Sequence, residues 1–183
     1  MVYVFFADGC EEVEAIAPVD ILRRGNVEVT TVGVASKTVT GSHNIIINAD
    51  IADDEVDFNN IDAVILPGGM PGTLNLEKSP VVQKALEYAY QNNKLIGAIC
   101  AAPSILGHKG YLNGKKATCY PGCEDSFDKG EYTAEIVTEC ENIITGKGPG
   151  AAMCFGLALL KYLKDEETAD KVRASMQCPD IAE

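Results

Sequence analysis

The chain has 183 residues, 46% hydrophobic and 23% charged, the balance of a globular protein built on an apolar core. Its 15 basic and 27 acidic side chains leave a formal charge of −12, which disfavours a nucleic-acid backbone or an anionic membrane surface as partner, and no apolar run approaches the roughly 20 residues of a membrane span. The start MVYVFFADG lacks a basic n-region, and seven cysteines without a regular framework read as reduced thiols, so a cytoplasmic protein is expected.

Strand and helix patterns then alternate. VYVFF at 2–6 has the length of a buried strand, 11–24 has helical spacing closed by Gly25, and VEVTTVGVA at 27–35 is the next strand. TVTGSHNIIINAD reads as a β-hairpin excursion, two β-branched runs flanking a Gly-Ser-His-Asn turn. A strand at 62–66 stops at Pro67-Gly68-Gly69, and Val81, Val82, Ala85, Leu86 and Ala89 predict a helix over 80–91. KLIGAI supplies a strand at 95–99, a helix starts over 103–106, YLNGKKAT turns into a strand, and 131–145 holds two more. Helices follow over 149–163 and 166–174, the first apolar on nearly all sides and expected to be buried.

Strands separated by helix-length segments imply one α/β domain over 1–183, a doubly wound, mostly parallel sheet with helices on both faces. Ligands of such sheets bind beyond the carboxyl ends of the strands. Those ends are Ala7-Asp8-Gly9, Pro67-Gly68-Gly69 and Cys100.

Cys100 stands where the strand LIGAI must turn into a helix, the arrangement of a nucleophile elbow. Gly97, Ala98, Ala101 and Ala102 give the small neighbours such a corner requires, and Pro103 suits a first helical turn. A thiol at a helix N-terminus is expected to favour the thiolate; a free cysteine is otherwise a small buried hydrophobe. Gly68 and Gly69 let backbone N–H groups approach a reacting oxygen. Three carboxylates, Glu11, Glu12 and Glu14, crowd the first turn of the helix that carries Pro18, which withholds a donor from the Glu14 carbonyl. A Glu14 carboxyl pressed among apolar neighbours would keep its proton near neutral pH and serve a neighbouring thiol.

ADGCEEVEAIAPVDILRR, DAVILPGGMPGTLNL, LIGAICAAPSIL and ITGKGPGAA together resemble the ThiJ/PfpI superfamily over essentially the whole chain, and within it the branch of the parkinsonism-associated, glyoxalase III-like deglycases. The resemblance implies a flavodoxin-like homodimer with Cys100 as the reactive cysteine, Glu14 as its partner carboxyl, and the N–H groups of Gly69 and Ala101 as thiolate and oxyanion donors. Two departures stand out. Ala101 occupies the place where peptidase members carry a His after the nucleophile, and Tyr120 in KATCYPG stands where a deglycase His often lies. His43 matches a position where some relatives hold an arginine that reaches across the dimer; in its own terms it is a solvated turn residue.

The activity so implied is a cofactor-free glyoxalase, with a small aldehyde as substrate and a cysteine hemithioacetal as intermediate. The alternative is an oxidative-stress sensor or chaperone that acts through oxidation of Cys100 to a sulfinate. GKGPG lacks the spacing of a phosphate loop, which disfavours a thiazole-phosphate role. Cys119-x3-Cys123 has no second ligand pair nearby in sequence, so no metal site is assigned, and a redox role stays open. Cys10 is placed at the pocket rim next to Glu11, Cys154 in the core, and Cys140 and Cys178 at the surface or tail.

Overall fold

Short apolar runs become the central strands of one sheet because helices cover both of its faces there. The computed structural model describes residues 1–178. In chain order it contains β1 (Val2–Phe6), α1 (Glu12–Arg24), β2 (Val29–Gly33), β3 (Thr38–Thr40), β4 (Ile46–Asn48), β5 (Ile51–Ala52), β6 (Ala63–Leu66), α2 (Gly72–Lys78) and α3 (Pro80–Gln91). There follow β7 (Leu95–Ile99), α4 (Pro103–His108), β8 (Lys116–Ala117), β9 (Glu131–Tyr132), β10 (Val137–Cys140), β11 (Ile143–Gly146), α5 (Ala152–Leu163) and α6 (Glu166–Ser175).

The main sheet has seven strands in the order β10-β11-β7-β6-β1-β2-β5, all parallel except the β10–β11 pair. Alternate residues of β1 feed two cores. Val2, Val4 and Phe6 pack with α1, α5 and α6, while Tyr3 and Phe5 pack with α3 and α4. β3 and β4 form the expected hairpin outside the sheet, paired antiparallel. Among the described residues, no helix is long and apolar enough to cross a membrane.

Where local signals are strong, boundaries match the sequence. α3 begins at Pro80 behind an Ser79 cap whose hydroxyl accepts the Val82 N–H, and it ends at Gln91. α2 has no such signal. It is two turns long, starts on Gly72 and has no side-chain cap; burial of Leu76 and Thr73 holds it. The region 131–145 contains parts of three strands rather than two, because the two-residue β9 pairs with β8 away from the main sheet.

Parallel order fixes the location of the site. β7, β6 and β1 are adjacent, with Leu66 beside Ala98 and Val4 beside Ile65, so their carboxyl ends open at one place. Cys100, the loop after Leu66 and the start of α1 meet there.

Candidate active site

Cys100 leaves β7 with φ 64°, a left-handed conformation that costs a non-glycine residue about 1–2 kcal/mol. Two backbone hydrogen bonds hold it: its N–H donates to the Gly146 carbonyl at 2.9 Å, and its carbonyl accepts the Tyr120 N–H at 2.8 Å. The chain therefore turns sharply, as an elbow requires, and the side chain keeps 7% of its surface exposed.

Glu14 arrives from the neighbouring helix. α1 is capped by Glu11, whose Oε2 accepts the Glu14 N–H at 2.7 Å, and the Glu11 N–H donates to the Gly68 carbonyl at 3.0 Å. This strap directs the Glu14 carboxyl inward, where its exposure is 0%. Oε2 accepts the Gly68 N–H at 2.9 Å, and the carboxyl lies beside the Cys100 side chain, both crowding the same face of Gly68. Glu14 Oε1 is buried with no hydrogen-bond partner among the described residues. The Gly69 and Ala101 N–H groups both face the Cys100 sulfur. Gly69 has φ 89°, a conformation suited to glycine, and that turn aims its N–H at the site.

The electrostatics depart from the expectation of a dipole-stabilised thiolate. Burial pushes the Cys100 thiol up, and the Glu14 carboxylate pushes it further, against the pull of the Gly69 and Ala101 N–H groups. α4 starts only at Pro103 and is six residues long, so its dipole is weak beside the desolvation of a buried sulfur. Burial likewise raises Glu14 to about 7, with the Cys100 and Gly68 hydrogen bonds opposing and the Glu11 charge adding to the rise. Ionising either group disfavours ionising the other. A proton leaving the sulfur thus has Glu14 as its acceptor at hand.

Of the residues singled out in the sequence, Cys100, Glu14, Gly68, Gly69 and Ala101 come together, and Glu11 supports them through the backbone. Tyr120 reaches Cys100 through its N–H alone; its ring is 51% exposed and lines a cavity of about 330 Å³ with Pro121, Ile136, Lys147 and Pro149. His43 does not reach the thiol within the chain. Its ring Nδ1 lies 2.7 Å from Glu12 Oε2 and 4.0 Å from Glu11 Oε1, and its side chain is mostly exposed.

Glu12 is the residue whose role the sequence did not suggest. Its buried carboxylate also accepts the N–H groups of His43 and Ile45 and the Ser42 hydroxyl, clamping the β3–β4 hairpin to α1. The run of acids facing a polar hairpin turn was its available signal. Glu11, Glu12 and His43 are the group among the described residues with metal-ligand spacing, their ligand atoms within 4.8 Å of one another. A cation there would have to displace the donors that Glu12 already holds. Cys10 is fully buried rather than at a rim, and Cys154 is partly exposed on a cavity lined by α5 and α6 rather than in the core. Cys154 owes its exposure to the orientation of α5, while Cys10, in the loop before α1, is covered by the hairpin, whose Ser42 N–H donates to its carbonyl at 2.8 Å.

The sequence pattern of the DJ-1/PfpI family matches residues 1–162. The chain belongs to that family. It is 36% identical to the Parkinson disease protein 7 homolog of Danio rerio over 178 residues, 94% of each chain. It is 33% identical to the glutathione-independent glyoxalase DJ-1 of Schizosaccharomyces pombe, covering 97% of this chain and 98% of that one. The solved structure of oxidized Toxoplasma gondii DJ-1 superposes with a TM-score of 0.92 at 33% identity, covering 96% of this chain and 97% of that one. The flavodoxin-like architecture implied by the four motifs is the one observed in this DJ-1/PfpI member.

Proposed function

We propose that the protein is a glutathione-independent glyoxalase that converts methylglyoxal or glyoxal and water to a 2-hydroxy acid. The observation that carries this reading is a fully buried carboxyl, Glu14, packed beside an elbow thiol that the Gly69 and Ala101 N–H groups flank. Relatives named as glutathione-independent glyoxalases, at 32% and 33% identity, support it.

The Glu14 carboxylate takes the thiol proton as the Cys100 sulfur adds to the aldehyde carbon, and the new oxyanion forms against the Gly69 and Ala101 N–H groups. Glu14 returns that proton to the oxygen, completing a hemithioacetal. It then removes the C1 hydrogen as a proton, giving an enediolate; the C1 hydroxyl proton passes to the C2 oxygen while Glu14 delivers its own proton to C2, leaving a 2-hydroxy thioester. Water hydrolyses the thioester, releasing the 2-hydroxy acid and the thiol. No cofactor enters the balance.

The test is lactate formation from methylglyoxal without glutathione. Cys100→Ala should abolish it and Glu14→Gln should reduce it by about 10²-fold or more; a wild-type rate in either variant rejects the scheme.

A homodimer is part of the same reading. Val13 and Ile16 lie one turn apart on α1, and Ile45 and Ile46 on the hairpin beside the Glu12 clamp; all four are exposed, Ile46 at 66%. An apolar patch of this kind fits a second copy of the chain. Seven free cysteines, two of them fully buried, fit a reducing cytoplasm.

The second reading is an oxidation sensor at Cys100, favoured by a solved relative in an oxidized state and by a carboxyl able to donate to a sulfinate. Selective oxidation of Cys100 by mild peroxide in a protein with no turnover would support it over the enzyme.

A further inference from the structure

Cys119 and Cys123 take no part in the chemistry above. The segment between them is Tyr120-Pro121-Gly122, and it closes a tight turn: the Cys123 N–H donates to the Tyr120 carbonyl at 3.0 Å, with Gly122 at φ 97°. Proline followed by a left-handed glycine is the signature of a type II turn, so the sequence itself folds the chain back here. The turn brings Cys123 back towards Cys119, whose sulfur lies near the Cys123 N–H. Cys119 is fully buried, whereas Cys123 is partly exposed, at the edge of both cores. The Ser126 N–H and hydroxyl fix Cys123 through its carbonyl, at 3.2 and 2.7 Å. At the other end the Tyr120 N–H holds the Cys100 carbonyl.

We propose that Cys119 and Cys123 form a reversible disulfide, a redox-modification site distinct from Cys100 that fixes the loop gripping the Cys100 corner. The oxidant is a peroxide, and it meets the exposed thiol first. The Cys123 sulfur takes one oxygen as the O–O bond breaks, giving a sulfenic acid and water. The Cys119 sulfur then attacks the sulfenic sulfur and loses its proton, the S–O bond breaks, and a second water leaves. Two thiols and one peroxide thus give one disulfide and two waters, and a dithiol reductant reverses the change. Burial, together with the neighbouring Glu124 charge, pushes both thiols up, Cys119 to about 12, so the step runs faster at mildly alkaline pH.

The experiment uses the Cys100→Ala protein, so that oxidation of the elbow thiol and the fate of the glyoxalase reading do not enter it. After treatment with hydrogen peroxide at mildly alkaline pH, alkylation under denaturing conditions and digestion, mass spectrometry should find Cys119 and Cys123 joined. The chain should have lost two alkylatable thiols and two hydrogen atoms, and dithiothreitol should restore both. Cys123→Ser in the same background should remove the crosslink, and the wild-type chain should show the same linked peptide. Full alkylation of both cysteines after treatment, a link from Cys119 to another cysteine, or oxidation of Cys123 to a sulfinate without any link would overturn the proposal.

Discussion

Gly68 and Cys100 touch with no space for a side chain between them: a Cβ on Gly68 would stand 2.7 Å from the Cβ of Cys100 and 2.9 Å from both the Ala101 nitrogen and Glu14 Oε2. One glycine therefore sets the spacing of the thiol, the carboxyl and an N–H donor together. Gly68→Ala must push at least one of them away. The expected cost is about 1–3 kcal/mol of stability by denaturant unfolding, as for other overpacked sites. Lactate formation should fall at least about tenfold, since small displacements of reacting groups cost heavily. A folded variant with the full rate would show that the contact does not set the geometry.

Glu14 should make the protein less stable as pH rises. The carboxyl is fully buried and burial raises it to about 7, against 4.5 for a free glutamate side chain, so between those values the folded chain keeps a proton that the unfolded chain has released. Stability therefore falls with pH across that window and levels off above it, by an amount on the order of 3 kcal/mol. Glu14→Gln, which never ionises, should flatten the difference between unfolding midpoints at pH 5 and pH 8. Equal pH dependence in the two proteins would place the ordinary value on Glu14.

His43 and Glu12 should titrate as a pair. The side-chain hydrogen bond to Glu12 raises His43 above 6.5; burial would raise Glu12, but the His43 ring and the N–H groups of His43 and Ile45 hold it at about 2. The histidine contribution to stability is fully present below pH 6.5 and is lost as pH rises through the raised folded value. Following the ring proton shift by NMR should give a midpoint above 6.5 in the wild type and a lower one in Glu12→Gln. An unchanged midpoint in the variant would detach the histidine from the clamp.

The exposed patch offers a third kind of check. Ile46→Asp puts a charge where two copies would bury an apolar side chain, and sedimentation should show the wild type as a dimer and the variant shifted towards monomer. A monomeric wild type would remove the homodimer from the reading.

Much of this fold was legible along the chain because each local signal had a nearby physical cause. β1 and β7 are apolar runs of strand length, α3 has a serine cap, a proline at its first turn and an apolar face, and the hairpin has β-branched arms around a polar turn. α2 was not legible, since it has neither cap nor periodicity and is held by neighbours distant in sequence. The candidate thiol, carboxyl and glycines were visible as strand ends and as an acid-rich first turn. The partner of His43 and the burial of Cys10 were not, because both depend on how the hairpin packs on α1.

What the sequence determined by itself is the alternation of strands and helices, the small residues around Cys100 and the turn chemistry of Pro121-Gly122, all of which follow from backbone sterics and hydrophobic period. What the tertiary structure alone decided is the electrostatic state of the site. Strand order brings Glu14 against Cys100, and desolvation then outweighs the short helix behind the thiol, raising both groups where helix position alone predicts a lowered one. Proximity and burial are properties of the packed chain, and acidity follows them.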